Sequence, residues 1–111
     1  MRAGDVLRVD FGIPTGSEAG FERPAVVVTA DGVLAHSPRT VHVVPVTSKV
    51  ERSLPTEVIV SASGLALDSA AQCHLCTAIG VERLVGTDYG NVGPAALAQL
   101  RSIVADLLDI G

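Results

Sequence analysis

The chain has 111 residues, of which 48% are hydrophobic and only 3% aromatic, and its formal net charge is −4. This length predicts a single domain over residues 1–111, with enough aliphatic material for one packed core. The negative charge argues against nonspecific electrostatic capture of nucleic acid, and the scarcity of aromatic residues disfavours binding by base stacking. Any site for a polyanion is therefore expected to be local.

No segment of the chain predicts membrane insertion or export. The longest apolar runs, such as residues 24–28, are far shorter than the roughly 20 residues that a membrane-spanning helix needs. The N-terminus lacks the regions of a signal peptide, and two cysteines three positions apart do not resemble the disulfide framework of a secreted mini-protein. We therefore expect a reduced, cytoplasmic protein without membrane association.

The N-terminal half predicts strands separated by two polar loops. Alternating apolar and polar residues predict a first strand over residues 5–11, and a loop containing Gly, Pro and Ser follows as far as Glu22. Valine-rich runs over residues 24–30 and 40–46 predict buried strands. A second polar loop over residues 47–54 precedes a strand over residues 56–60.

The C-terminal half predicts a turn at residues 64–68, extended chain over residues 69–79, a short strand over residues 82–86 and a helix over residues 95–108. Pro94 suits the first turn of that helix. Its apolar residues recur at helical spacing and predict a stripe that covers the sheet: Leu97, Leu100, Val104, Leu107 and Leu108. Short strands followed by one helix predict a mostly β fold, a small barrel with one end or edge covered by the helix.

Candidate chemistry lies at the two polar loops, where Glu18, Arg23, Thr47 and Ser48 adjoin buried strands that would hold them rigid. Attack of a ribose 2′-hydroxyl on the adjacent phosphorus requires a base, an acid for the leaving 5′-oxygen and donors to the charged phosphorane. A carboxylate, a guanidinium and a hydroxyl can divide these tasks. Judged by residue type alone, these side chains could equally form surface ion pairs or cap turns and have no catalytic role.

Motif order gives these residues a context. The chain carries five motifs in this order: Gly-Asp-Val-Leu-Arg-Val-Asp-Phe at residues 4–11, Gly-Ser-Glu at 16–18, Arg-Pro-Ala-Val-Val-Val at 23–28, Val-Pro-Val-Thr-Ser at 44–48 and Leu-Pro-Thr-Glu-Val at 54–58. Together and in this order, they resemble the MazF/PemK-type toxins of toxin–antitoxin systems. With the closing helix, the resemblance covers nearly the whole chain. It implies an SH3-like β-barrel of the CcdB/PemK type, a homodimer, and metal-independent, sequence-specific cleavage of single-stranded RNA without a cofactor.

The same resemblance implies roles for particular residues. Arg23 and Thr47 match the pair at the reaction centre, and Glu18 matches a loop carboxylate. Because arginine has a very high pKa, Arg23 is expected to donate to the phosphorane and the leaving oxygen. Thr47 is expected to donate to a nonbridging oxygen. Glu18 is the candidate base, and a contact with the substrate is the alternative.

Further RNA contacts are expected at Ser17 and at Ser48, Lys49 and Arg52 of the second loop. The two cations would form a local positive patch against phosphates, although a solvated loop explains them equally well. A cognate antitoxin is implied as the partner that neutralises the toxin. A flexible acidic antitoxin peptide would be attracted to these cations for the same reason as RNA.

One strand departs from the family pattern. A Gln-aliphatic-Arg sequence is usual there, whereas this chain has Leu75, Cys76 and Thr77. Gln72 lies three residues earlier, an odd offset that in a continuous strand predicts the opposite face. The departure leaves open two alternatives: a non-catalytic, CcdB-like toxin that binds a protein partner, and a degenerate family member that no longer cuts RNA.

Cys73 and Cys76 have the spacing of a zinc or thioredoxin-type motif. No second pair of ligands at a suitable spacing accompanies them, and in an extended strand the two thiols would point to opposite faces. We interpret them as small core or interface side chains and expect no metal site. Among the histidines, His42 alternates with valines and is expected on the polar face of a strand, whereas His74 is a candidate RNA contact.

Overall fold

A computed structural model describes residues 1–48 and 54–110. It contains seven strands: β1 Asp5–Asp10, β2 Glu22–Val27, β3 Thr40–Thr47, β4 Glu57–Ile59, β5 Ala70–Gln72, β6 Thr77–Gly80 and β7 Leu84–Asn91. A four-residue helix, α1 (Asp31–Leu34), lies between β2 and β3, and the long helix α2 (Pro94–Leu107) closes the chain. Short 3-10 turns at Cys73–Leu75 and Val81–Arg83 flank β6.

The strands form one antiparallel sheet in the order β4-β5-β3-β2-β1-β7, with β6 paired to β3. This confirms the predicted fold class, mostly β with one C-terminal helix. The expected closure into a barrel needs correction, because no pairing joins β4 to β7 in the described parts of the chain. Helix α2 instead covers the sheet near β4, where its Leu100 shares a core cluster with Val58.

The valine-rich central strands are buried on both faces. In β3, Val44 and Val46 belong to one core cluster, whereas Val41 and Val43 belong to a second cluster on the other face. Alternation of side chains along a strand produces this division. Near-continuous valine runs therefore fit strands that are covered on both sides.

Helix α2 buries only part of its predicted apolar stripe. Leu97 and Leu100 are buried and Val104 packs against the first cluster. The stripe was expected to continue through the last turn, but Leu107 and Leu108 are 48% and 63% exposed. The prediction was therefore wrong for the last turn. None of the helices among residues 1–48 and 54–110 is long and apolar enough to cross a membrane.

The expected extended chain over residues 69–79 is interrupted by the turn Cys73–Leu75. On β3, Val43 and Val46 are three residues apart, but their partners Thr77 and Ala71 are six apart. The three extra residues form the 3-10 turn, in which the Cys76 N–H donates to the Cys73 carbonyl at 3.1 Å. The turn resets which face each side chain occupies, so face assignments that assume one continuous strand fail here.

Candidate active site

Arg23 lies just beyond the end of the β2–β3 ladder. The pairing runs from Val27 opposite Val43 to Ala25 opposite Pro45, and Pro24 has no N–H with which to extend it. Continuing the same register would set Arg23 opposite Thr47. The guanidinium of Arg23 instead reaches β3 with its side chain, and Nη2 donates to the Val46 carbonyl at 3.2 Å. Burial lowers the pKa of this guanidinium from its usual high value.

A second partner of Arg23 is Gln72, at the end of β5. Arg23 Nη2 donates to Gln72 Oε1, and the Gln72 amide in turn donates from Nε2 to Glu57 Oε2 at 3.3 Å. Gln72 and Glu57 are directly opposite each other across β4 and β5. The expectation that Gln72 faces away from the site is therefore wrong, because its face is set by the pairing of β5 and not by its distance from Leu75.

Arg23 and Thr47 line one open depression of about 320 Å³. Its other walls come from the ends of β2 and β3, the segment 64–69 and β7: Pro24, Val46, Ser48, Gly64, Leu65, Ala66, Ser69 and Tyr89. Gly64 N–H donates to the Tyr89 carbonyl at 2.8 Å, and a Cβ at Gly64 would come within 2.9 Å of the Tyr89 Cα. Only glycine permits this close approach of the two walls.

Glu18 lies in a different depression, of about 410 Å³, on the loop between β1 and β2. Arg83, His74, Leu75 and Thr77 also line it. The loop is closed at its base by the N–H of Phe21, which donates to the Gly12 carbonyl at 2.6 Å. The structure thus brings Arg23, Thr47 and Ser48 together in one depression, while Glu18 lines the other.

The remaining predicted contacts are placed as follows. Ser17 is exposed on the first loop, and Ser48 is exposed at the end of β3. Lys49 and Arg52 lie outside the described residues. Exposed His74 has its Nδ1 2.9 Å from Thr56 Oγ1.

The Cys-x-x-Cys segment does not have the predicted extended geometry. Because residues 73–75 form a 3-10 turn, Cys73 and Cys76 pack into the same core cluster and not onto opposite faces. Burial, together with the neighbouring Cys76, raises the pKa of the Cys73 thiol to about 11. A raised pKa keeps a thiol protonated and unreactive. In the part of the chain that is described, no three His, Cys, Asp or Glu side chains form a group able to hold a metal ion.

The fold and these motifs agree with a comparison against protein families. Residues 2–108 match the family of PemK-like, MazF-like toxins of type II toxin–antitoxin systems. The chain belongs to this family. The resemblance drawn from the loop motifs is therefore confirmed over almost the full length.

Individual relatives agree. The chain is 40% identical to endoribonuclease MazF9 of Mycobacterium tuberculosis over an alignment of 116 positions, which covers 99% of this chain and 98% of the relative. Its fold is similar to that of MazF from Deinococcus radiodurans, with a TM-score of 0.82, 21% identity and coverage of 99% and 97% of the two chains. A mycobacterial endoribonuclease in complex with its cognate antitoxin has a TM-score of 0.74 at 24% identity, with coverage of 100% and 97%.

Two residues of the Arg23 site carried no role in the sequence analysis. Glu57 belongs to the Leu-Pro-Thr-Glu-Val motif, and its signal in the sequence is a charged residue near the start of the strand predicted over residues 56–60. Gln72 was assigned to the wrong face. The two residues meet through the pairing of β4 with β5, which no local feature of the sequence specifies.

Proposed function

We propose that this chain is the toxin of a type II toxin–antitoxin system and cleaves single-stranded RNA at specific sequences without a metal ion. The observation that carries the proposal is the geometry of Arg23. Its half-buried guanidinium is anchored to Val46 and Gln72 and lines the same depression as the Thr47 side chain. Family membership and the name of the 40% identical relative, an endoribonuclease, support the same activity.

In the proposed reaction, the substrate's own 2′-hydroxyl is the nucleophile. Its oxygen forms a bond to the adjacent phosphorus, a base removes its proton, and the bond from phosphorus to the 5′-oxygen breaks. The leaving oxygen takes up a proton, so the products are a 2′,3′-cyclic phosphate and a 5′-hydroxyl. Negative charge concentrates on the phosphorane oxygens, where fixed donors lower the barrier most.

Arg23 fits the task of stabilising that charge. Among the described residues, its Nε and Nη1 have no hydrogen-bond partner, because both bonds to protein acceptors come from Nη2. A guanidinium presents its donors in a planar fork that matches phosphate oxygens. We assign Arg23 to the phosphorane and the leaving oxygen, and Thr47 to a nonbridging oxygen.

Glu18 is the proposed base, supplied from the first loop. Glu18 lines the other depression, so this role requires the first loop to carry its carboxylate to the 2′-hydroxyl beside the phosphorus that Arg23 holds. The bound RNA would then follow a path past both loops. Ser17, Ser48, Lys49 and Arg52 are proposed as RNA contacts along that path. Such a path keeps the positive charge local, in agreement with the net charge of −4.

We further propose a homodimer that acts in the cytoplasm and is neutralised by a cognate antitoxin. Structures of MazE-MazF from Deinococcus radiodurans and of a mycobacterial endoribonuclease with its cognate antitoxin share the fold. An acidic antitoxin segment that reaches the depression around Arg23 would compete with phosphate for the same donors. The alternative of a non-catalytic or degenerate toxin rested in part on the missing Gln-aliphatic-Arg sequence. Because Gln72 lies in the site, the absence of the usual glutamine no longer supports that alternative.

The direct test is digestion of a mixed RNA pool by the purified protein in EDTA, with mapping of product termini. Arg23→Ala and Thr47→Ala are assayed in parallel after circular dichroism has shown that both are folded. We expect discrete cuts with 2′,3′-cyclic phosphate ends for the wild type and none for either variant at the same enzyme concentration and incubation time. A folded wild-type protein that makes no cuts would contradict the proposed activity, and cuts retained in both variants would contradict the proposed site.

A further inference from the structure

Three polar side chains, one of them at the proposed reaction centre, form a continuous hydrogen-bonded row. The row begins at Arg23 of β2, continues through Gln72 of β5 and ends at Glu57 of β4. All three side chains are half-buried. Ala71 and Val58, the neighbours of Gln72 and Glu57, face the core, so strand alternation directs both polar side chains to the opposite face.

We propose that Gln72 is a positioning residue for Arg23, and that Glu57 holds Gln72 in the orientation this requires. The inference rests on the proposed ribonuclease function. An amide can rotate so that either its oxygen or its nitrogen faces Arg23. Acceptance by the Glu57 carboxylate requires the nitrogen to face β4, which leaves the oxygen to accept from Arg23.

The chemical identity of the middle residue follows from the same argument. A carboxylate in direct contact with Arg23 would neutralise much of the charge that the phosphorane needs, and it would compete with phosphate for the guanidinium. A neutral amide fixes the guanidinium without that cost. Gln72 thus separates the positive charge of Arg23 from the negative charge of Glu57 while connecting the two groups through hydrogen bonds.

The test uses steady-state cleavage of an RNA oligonucleotide by the full chain, together with binding of the same oligonucleotide carrying a 2′-deoxy nucleotide at the cut. Misplacement of a catalytic group by about 1 Å costs up to ~100-fold in rate, so we expect Gln72→Ala to lower kcat at least ~10-fold. Binding of the uncleavable RNA should change less than about threefold. Gln99→Ala, on the exposed face of α2, is the matched control and should leave both quantities unchanged.

Further variants separate the two parts of the proposal. Gln72→Glu keeps an acceptor but adds charge, so we expect it to lower kcat and also weaken RNA binding. Glu57→Ala should lower kcat, whereas Glu57→Gln, whose amide oxygen can still accept from Gln72, should retain most of the activity. If Glu57→Gln is as inactive as Glu57→Ala, Glu57 acts directly in proton transfer and the positioning role is overturned.

A double-mutant cycle gives the decisive comparison. Because Gln72 acts only through Arg23, Gln72→Ala should cause no further loss in the slow residual cleavage that a higher enzyme concentration and a longer incubation measure in the Arg23→Ala background. A loss of the same size in both backgrounds would show general damage to the fold and overturn the inference. Failure of the proposed function is distinguishable, because the wild type itself would then not cleave, whereas failure of the inference leaves the wild type active and Gln72→Ala equally active.

Discussion

Leu100→Ala tests how the helix α2 stabilises the sheet. Leu100 is completely buried and shares its cluster with Val6, Val26 and Val58 of three different strands. Truncation of a buried leucine costs about 2–5 kcal/mol, since lost transfer energy and a residual cavity add. For so complete a burial we expect a loss of about 3 kcal/mol in the free energy of unfolding. In a domain of this size that corresponds to a fall in Tm of ~12 °C.

The matched control is Leu107→Ala, the same substitution at another position of the same helix. Leu107 is 48% exposed, so its truncation loses about half of the transfer energy of a leucine and leaves no enclosed cavity. We expect at most about 1 kcal/mol. Urea denaturation at one fixed protein concentration measures both values, with an unchanged m-value as the check on two-state behaviour. Equal losses at Leu100 and Leu107 would refute the assignment of the last helical turn to the surface.

Three further predictions concern titration and RNA binding. The free energy of unfolding should fall as the pH rises from about 9 to about 11. The reason is that the thiol of Cys73 ionises first in the unfolded chain, whereas burial raises its pKa to about 11 in the folded protein and keeps it protonated. Cys73→Ala should remove this part of the pH dependence, and an unchanged profile would contradict the burial argument. Glu18→Gln should lower kcat at least ~100-fold with little change in KM, as expected for the loss of a general base, whereas a rise in KM with kcat retained would assign Glu18 to substrate contact. Lys49→Ala and Arg52→Ala should each reduce the slope of log K against log salt by about 0.7 for uncleavable single-stranded RNA, and an unchanged slope would exclude a phosphate contact.

Much of the fold was predictable because its strands carry simple signals. The valine runs of β2 and β3 indicated burial on both faces, and both faces are covered. The helix was predicted over residues 95–108 and spans Pro94–Leu107, since proline and helical spacing agree at its start. The break at Cys73–Leu75 was not predictable, because a register change between β3 and its two partners is a property of the assembled sheet and not of the local sequence.

The same distinction separates the found and missed parts of the site. Arg23 and Thr47 lie in motifs that can be identified from sequence, and the structure places both in one depression. Gln72 and Glu57 meet through pairing of β4 with β5, which periodicity alone does not specify. The partner of a side chain that contacts a neighbouring strand can therefore be predicted only when the register of the sheet is known.

The most direct test of the central claim is to replace the single ribose on the 5′ side of a mapped cut by 2′-deoxyribose in an otherwise identical RNA. Cleavage through the substrate's own 2′-hydroxyl predicts that this one cut disappears, in EDTA as in magnesium, while cuts elsewhere in the same molecule continue. Unchanged cleavage at the deoxy position would show that another nucleophile attacks the phosphorus and would contradict the mechanism assigned to Arg23.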